Sequence, residues 1–225
     1  LHPRVRRQRQ MCIRDSLKPD LVVGTNVPFH VMLRKPLEMA GVPLYLNMIN
    51  SYEDVLKSID DFGRFAGREK EAAAKRAQIE KEYAALTQDV QKGRGPKVLI
   101  IFGSPDSFNM STKKSFGGDL AERLGAVNIA DKAENVKDSS YIPLSMEFVA
   151  KENPDVVMLI TMGGSKEILE KLRANMRDNA IWHDVNAVKN NRVYQLPPSL
   201  FTVNPGTHTI DAMKIMKEYI YGEAK

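Results

Sequence analysis

The side chains in this sequence that could bind a metal or an aromatic ligand are mostly methionines. The chain contains eleven methionines, four histidines and a single cysteine, Cys12. A thioether is a soft ligand for transition metals, and imidazole is the commonest metal ligand in proteins. Because Cys12 is the only thiol, the rest of the chain can form no disulfide, iron–sulfur site or thiolate zinc site.

Motifs that are typical of catalytic sites do not occur in the sequence. It has no GxSxG nucleophile elbow, no GxxxxGKS/T phosphate loop and no GxGxxG dinucleotide motif. The four histidines are too scattered to supply the His/His/carboxylate set that a bare manganese or zinc ion would need. The sequence therefore gives little support to an enzymatic function.

The positive charge of the chain is concentrated at its start. The sequence has 33 basic and 28 acidic side chains, which gives a net charge of +5. Residues 1–16 contain five of the arginines and one aspartate, so the remainder is nearly neutral. A neutral body gives no electrostatic reason to expect a nucleic-acid partner. No apolar run reaches the roughly 20 residues needed to cross a bilayer.

The opening segment LHPRVRRQRQMCIRDS does not resemble the rest of the chain. It has no helix or strand period, no apolar stretch and no small-residue cleavage site, so it is not a signal peptide. We interpret residues 1–16 as a foreign, disordered tail. We expect that the native N-terminal sequence is missing before residue 17.

Short β-branched runs alternate with helical patterns from residue 17 onward. Strands are predicted at residues 21–24, 44–46, 97–103, 127–130, 156–160 and 192–195. Alternating strands and helices are typical of a parallel sheet. The predicted fold class is α/β, with two Rossmann-like lobes whose sheets are rich in parallel strands.

A long amphipathic pattern separates the two predicted lobes. It predicts one continuous helix over residues 68–92, about 38 Å long at about 1.5 Å per residue. The expected domains are therefore a truncated first lobe over residues 17–66, an inter-lobe helix over residues 67–93 and a second lobe over residues 94–225.

Four stretches of the sequence resemble class III substrate-binding proteins, in which one long helix joins two α/β lobes. They are KVLIIFGSPDSF, STKKSFGGDLAERLGAVNIAD, YIPLSMEFVAKENPDVVML and IWHDVNAVKNNRVYQL. Within that class they are similar to the haem receptors of the IsdE type, over about residues 17 to 225.

The resemblance implies a function in uptake. It implies the substrate-binding component of an ABC importer, which captures haem or another iron complex between its lobes and delivers it to a permease. Such a protein is extracytoplasmic, in the periplasm or as a membrane-anchored lipoprotein, and we expect a monomer. A ferric siderophore or cobalamin is an alternative ligand for the same fold. A two-domain α/β enzyme that acts on a tetrapyrrole or a nucleotide is the alternative from another class.

Ligands of open parallel sheets lie beyond the carboxyl ends of the strands. The predicted ends, and the residues that follow them, bring together an apolar set of side chains rich in thioethers. The set suits a flat macrocycle and comprises Met48, Phe108, Met110, Phe116, Met162 and Phe201. The polar Asn26, at another predicted strand end, is a further candidate for ligand binding.

Met162 is the candidate axial ligand of haem iron. It follows a buried strand and precedes two glycines. By the resemblance it stands where IsdE-type receptors have a histidine. His208, at the start of the last predicted helix, is the second candidate, and its alternative interpretation is an exposed residue of a helix start.

Glu147 is the candidate contact to the permease. By the resemblance it matches the glutamate that the second lobe presents to permease arginines. It also lies in the first turn of a predicted helix, where a carboxylate stabilises the helix dipole. Both interpretations stay open from the sequence.

Overall fold

The computed structural model describes residues 18–134, 138–201 and 205–222. The predicted tail over residues 1–16 lies outside the described residues. Contacts divide the chain into two compact units, Leu1–Met48 and Ile49–Lys225.

The first unit contains a pair of parallel strands. Its elements are β1 (Val22–Thr25), α1 (Pro28–Val31), α2 (Arg34–Met39) and β2 (Leu44–Asn47). The strands pair from Val22 opposite Leu44 to Thr25 opposite Asn47. Residues 28–39 form two short helices and not one continuous helix, because Pro36 has no N–H to donate to the carbonyl of Met32.

A six-stranded sheet forms the centre of the second unit. Its strands are β3 (Lys97–Gly103), β4 (Phe108–Ser111), β5 (Val127–Asn128), β6 (Tyr141–Pro143), β7 (Val156–Thr161) and β8 (Val193–Gln195). The order is β6-β4-β3-β7-β8, and β5 pairs with the start of β3. Strands β5 and β7 pair in parallel with β3, and β8 pairs in parallel with β7. Strand β4 is antiparallel to both β3 and β6.

Helices cover both faces of this sheet. They are α3 (Tyr52–Phe65), α4 (Glu69–Thr87), α5 (Phe116–Arg123), α6 (Met146–Glu152), α7 (Lys166–Asp178), α8 (Asn186–Lys189), α9 (Pro198–Phe201) and α10 (Thr209–Tyr221). Serines cap four of them: each of Ser51, Ser115, Ser145 and Ser165 accepts a hydrogen bond from a backbone N–H in the first turn. Such caps satisfy donors that have no partner within the helix.

Alternating residues of β3 pack into two hydrophobic cores. Val98 and Ile100 belong to the core beneath α3, α4, α5 and α10. Leu99 and Ile101 belong to the core on the opposite face, which includes residues of α6 and α7 and the fully buried Trp182. This alternation follows from the two-residue period of a strand.

Helices α3 and α4 form an antiparallel pair, and α4 is shorter than predicted. The rings of Tyr52 and Tyr83 stack with centroids 4.4 Å apart, and Asp60 pairs with Arg76. Gly67, with φ of +63°, lies in the turn between the helices. The helix predicted over residues 68–92 ends at Thr87, so its 19 residues span about 28 Å. Its role as an inter-lobe connection stays a prediction.

Gly63 controls the approach of these two helices. A Cβ at Gly63 would lie 2.4 Å from the Cβ of Ala72. Neither atom can rotate away, so Gly63→Ala should lower the free energy of unfolding by about 1–3 kcal/mol. The double variant Gly63→Ala/Ala72→Gly restores the space and should return close to the wild-type value in urea unfolding. A Gly63→Ala protein as stable as the wild type would contradict this packing.

Arg123 links helix α3 to helix α5. Its Nε donates to Asp119 over 2.8 Å, it also pairs with Glu53, and its guanidinium lies 5.2 Å from the ring centre of Tyr52. Asp119 in turn accepts the backbone N–H of Tyr52 over 2.8 Å. Burial raises the pKa of Asp119, although the hydrogen bond from Arg123 opposes that rise. The network joins α3 to α5.

The raised pKa of Tyr52 makes the free energy of unfolding depend on pH in the alkaline range. Burial, followed by the nearby charge of Glu80, raises its pKa from 10.0 to about 12. The unfolded chain therefore loses this proton first, and the contribution of Tyr52, present below pH 10, is lost as the pH rises towards 12. The variant Tyr52→Phe cannot ionise at this position. Its free energy of unfolding should therefore fall by about 1–2 kcal/mol less than that of the wild type over the same pH range.

Tyr52→Phe should otherwise be well tolerated at neutral pH. The hydroxyl is buried and has no hydrogen-bond partner among the described residues, so its removal leaves no partner unsatisfied. Urea unfolding of both proteins at several pH values measures the difference. If the free energies of unfolding of the wild type and of Tyr52→Phe fall equally above pH 10, the pKa of Tyr52 is not raised in the folded state.

Candidate functional site

Three parallel strands of the second unit end side by side. Strands β3, β7 and β8 are neighbours in the sheet and end at Gly103, Thr161 and Gln195. We call the segments that continue from these ends the carboxyl edge: residues 103–108, 161–165 and 196–201. This is the place where open parallel sheets bind ligands.

Met162 lies at the carboxyl edge with an exposed thioether. It begins a short 3₁₀ turn directly after β7, and 48% of the residue is accessible to solvent. Gly163, the next residue, has φ of +59°, and a Cβ there would meet nothing within 4 Å. The turn therefore needs glycine for its backbone conformation. The described structure leaves the side chain of Met162 accessible to a ligand.

Met110 and Phe201 do not line an open site, which corrects the sequence prediction. Met110 is 2% exposed and Phe201 is 8% exposed. Met110 belongs to β4, a strand that was not predicted, and pairs with Ile101 on the inward side of the sheet. Phe201 packs in the core beneath α5 and α10. Both side chains therefore serve packing in this structure.

Two phenylalanines of the predicted site are only partly buried. Phe116 is the first residue of α5, after the cap Ser115, and packs against one core. Phe108 is the first residue of β4 and packs against the other core. They lie on opposite faces of the sheet, so the structure does not bring the whole predicted set together.

In the first unit, Asn26 and Met48 lie just beyond the ends of the two strands. Asn26 is exposed after β1, and its backbone N–H donates to the carbonyl of Asn47 over 2.9 Å. Met48 follows β2 and is 41% exposed. A ligand-binding role for these two residues stays a prediction.

His208 is an exposed residue next to a carboxylate. It ends the 3₁₀ turn Gly206–His208 before α10, and its Nδ1 lies 3.0 Å from Asp211 Oδ2. Its side chain is 70% exposed. This arrangement agrees with the interpretation of His208 as a residue of a helix start. It gives His208 a weaker case than Met162 as an iron ligand.

Glu147 is exposed in the first turn of α6. The helix is capped by Ser145, whose hydroxyl accepts the N–H of Phe148. Because Glu147 is exposed, its carboxylate is accessible to a basic partner.

Tyr141 is an exposed aromatic residue that sequence reasoning missed. It is 44% exposed on β6, and its ring centroid lies 5.0 Å from that of Phe102. Burial raises the pKa of its hydroxyl. A signal was present: the run Tyr141-Ile142-Pro143 alternates, with Ile142 buried and its neighbours exposed. Three residues are too few for a reliable strand prediction.

A cavity of about 550 Å³ lies elsewhere, beside the amino ends of β3 and β5. Its lining includes Lys92, Lys113, Arg123 and Asp131, which carry charges of both signs. Burial raises the pKa of Asp131. A mixed-charge depression does not suit an apolar macrocycle, so we do not assign the ligand to it.

The described residues contain neither a metal cluster nor a membrane span. No group of three or more histidine, cysteine, aspartate or glutamate side chains in the described ranges could hold a metal ion. None of the helices in those ranges is both long and apolar enough to cross a bilayer.

Comparison with known proteins decides the family. A profile of the periplasmic binding protein family matches residues 16–200. The chain belongs to the periplasmic binding protein family. Membership confirms the predicted substrate-binding role, in place of an enzymatic one.

Individual relatives agree with this membership. The high-affinity haem uptake system protein IsdE of Staphylococcus aureus strain MRSA252 is 29% identical, over 93% of this chain and 70% of that protein. An ABC transporter substrate-binding protein from Listeria monocytogenes EGD-e has a similar structure, with a TM-score of 0.78 at 27% identity, covering 93% of this chain and 79% of that chain.

The structure of Staphylococcus aureus IsdE in complex with haem is also similar. It gives a TM-score of 0.78 at 26% identity and covers 93% of this chain and 80% of that chain. These likenesses confirm the predicted α/β fold class and the resemblance to class III substrate-binding proteins.

Proposed function

We propose that this periplasmic binding protein is the haem-binding component of an ABC importer. The observation that carries the proposal is the exposed thioether of Met162, which β7 delivers to the carboxyl edge. A relative whose name specifies haem uptake, and a similar structure that contains haem, support this choice of ligand.

Met162 would bind iron from the axial direction of the haem. Methionine is an established axial ligand of haem iron and raises its reduction potential relative to imidazole. The turn around Gly163 leaves open space, so a macrocycle meets no side chain of that residue. Contact between the flat porphyrin and apolar side chains would supply most of the binding free energy.

The remaining parts of the proposal concern location and partners. The protein would act outside the cytoplasmic membrane, in the periplasm or as an anchored lipoprotein, and as a monomer. It would release haem to a permease that recognises Glu147. In this arrangement Met162 serves capture and Glu147 serves docking, so the two functions can be separated by mutation.

Haemin titration of Met162→Ala tests the capture site. Wild-type protein should give a Soret band that is shifted from that of free haemin, and the variant should give a weaker or differently shifted band because the axial thioether is gone. The matched control is Met39→Ala, which removes a methionine that is 90% exposed on α2 and should leave the spectrum unchanged. An unchanged spectrum in Met162→Ala removes Met162 as the ligand.

Transport measurements on Glu147→Ala test the docking site. With haem-loaded protein and its permease in proteoliposomes, the variant at a sub-saturating concentration should stimulate ATP hydrolysis up to about fivefold less, since a charged contact worth up to about 1 kcal/mol is lost. Its affinity for haemin should not change. Glu69→Ala is the control, because Glu69 is also an exposed first-turn glutamate. Weakened haemin binding in Glu147→Ala would instead place Glu147 in the ligand site.

A further inference from the structure

We infer that Tyr141 and Phe102 form a second ligand-contact surface, which selects a planar aromatic ligand by ring stacking. This inference rests on the proposed haem-binding function. It extends that function from the iron to the ring system of the ligand.

The two rings lie on the same face of the sheet. Phe102 pairs with Asn109 across β3 and β4, and Ser111, two residues further along β4, pairs with Tyr141 on β6. Side chains two residues apart on a strand share a face, so Phe102 and Tyr141 are diagonal neighbours across β4. Their centroids are 5.0 Å apart at an interplanar angle of 41°.

Met162 continues the same face on the other side of β3. Phe102 pairs with Ile160 of β7, and the extended backbone of Thr161 carries the chain on to Met162. The strands β6, β4, β3 and β7 are successive neighbours. Tyr141 pairs with Ser111, which puts it level with Met158, four residues before Met162. Three strand steps of about 4.8 Å and four residues of about 3.3 Å separate its backbone from that of Met162 by about 19 Å, with Phe102 between them. The edge of a flat ligand held at Met162 would therefore reach Phe102, whose ring lies against that of Tyr141.

The exposure of the pair supports a contact role. Tyr141 is 44% exposed, and Phe102 is partly buried against the core that it borders. An aromatic ring that is held from one side by another ring loses little freedom when a ligand covers its open side. Aromatic pairs contribute about 0.5–1.5 kcal/mol beyond the burial of area. A ferric hydroxamate, which has no extended aromatic plane, would gain little from this surface.

Titration with metal-free protoporphyrin IX tests this contact independently of the iron ligand. Binding is followed by the porphyrin fluorescence for the wild type, Tyr141→Phe and Tyr141→Ala. Tyr141→Phe keeps the ring and should bind as the wild type does. Tyr141→Ala should bind between about threefold and tenfold more weakly. The same order should hold for haemin.

The matched control is Tyr221→Ala. Tyr221 has the same exposure of 44% but lies at the end of α10, where its hydroxyl donates to the carbonyl of Leu124. Its replacement should not alter porphyrin affinity. Thermal unfolding checks that each variant is folded, and Tyr141→Leu, which keeps apolar bulk without a ring, replaces Tyr141→Ala if the latter does not fold.

The outcomes separate this inference from the function on which it rests. If the wild type binds porphyrin and Tyr141→Ala binds it with equal affinity, the contact role of Tyr141 is overturned, but the haem-binding function is not. Failure of the wild type to bind either haemin or protoporphyrin overturns the haem-binding function together with this inference.

Discussion

Strands β3 and β7 pair in parallel over six residues, from Val98 opposite Val156 to Gly103 opposite Thr161. Every residue of β7 is buried, which is typical of a parallel strand covered on both faces. The pairing fixes the register at which both strands end, and so places Met162 beside the end of β3. A slip of one residue would direct Met162 to the opposite face. The geometry of the proposed site therefore depends on this register.

The surrounding helices stabilise that register from both sides. On one face Gly103 allows α7 to approach so closely that a Cβ there would lie 2.8 Å from Ile168. On the other face Gly117 of α5 lies over Ile100 and Ile160, and Arg123 at the end of α5 joins α3 and α4 to the same layer. The residues that hold the sheet are thus distinct from the side chains proposed to contact ligand. Substitutions at the exposed positions can be made with little risk to the core.

The parallel strands could be predicted from the sequence, whereas the two antiparallel strands, β4 and β6, were not recognised. β-branched runs such as Val156–Thr161 are unambiguous, because they are continuous and buried on both faces. Strands β4 and β6 have only four and three residues, and their antiparallel pairing depends on contacts distant in the chain. Missing β4 led to the misplacement of Met110, since strand alternation alone turns that side chain inward. The end of α4 was also overestimated, because apolar spacing continued to Val90 in a turn where Val90 donates to Thr87.

A parallel titration with three ligands tests whether the protein binds haem. Haemin, a ferric hydroxamate siderophore and cobalamin are added separately to the protein, and each is followed by its own absorption spectrum. We predict tight, saturable binding of haemin at one equivalent, with a Soret band shifted from that of free haemin, and much weaker binding of the other two. Saturable binding of the siderophore or of cobalamin, with no change in the spectrum of haemin, would contradict it.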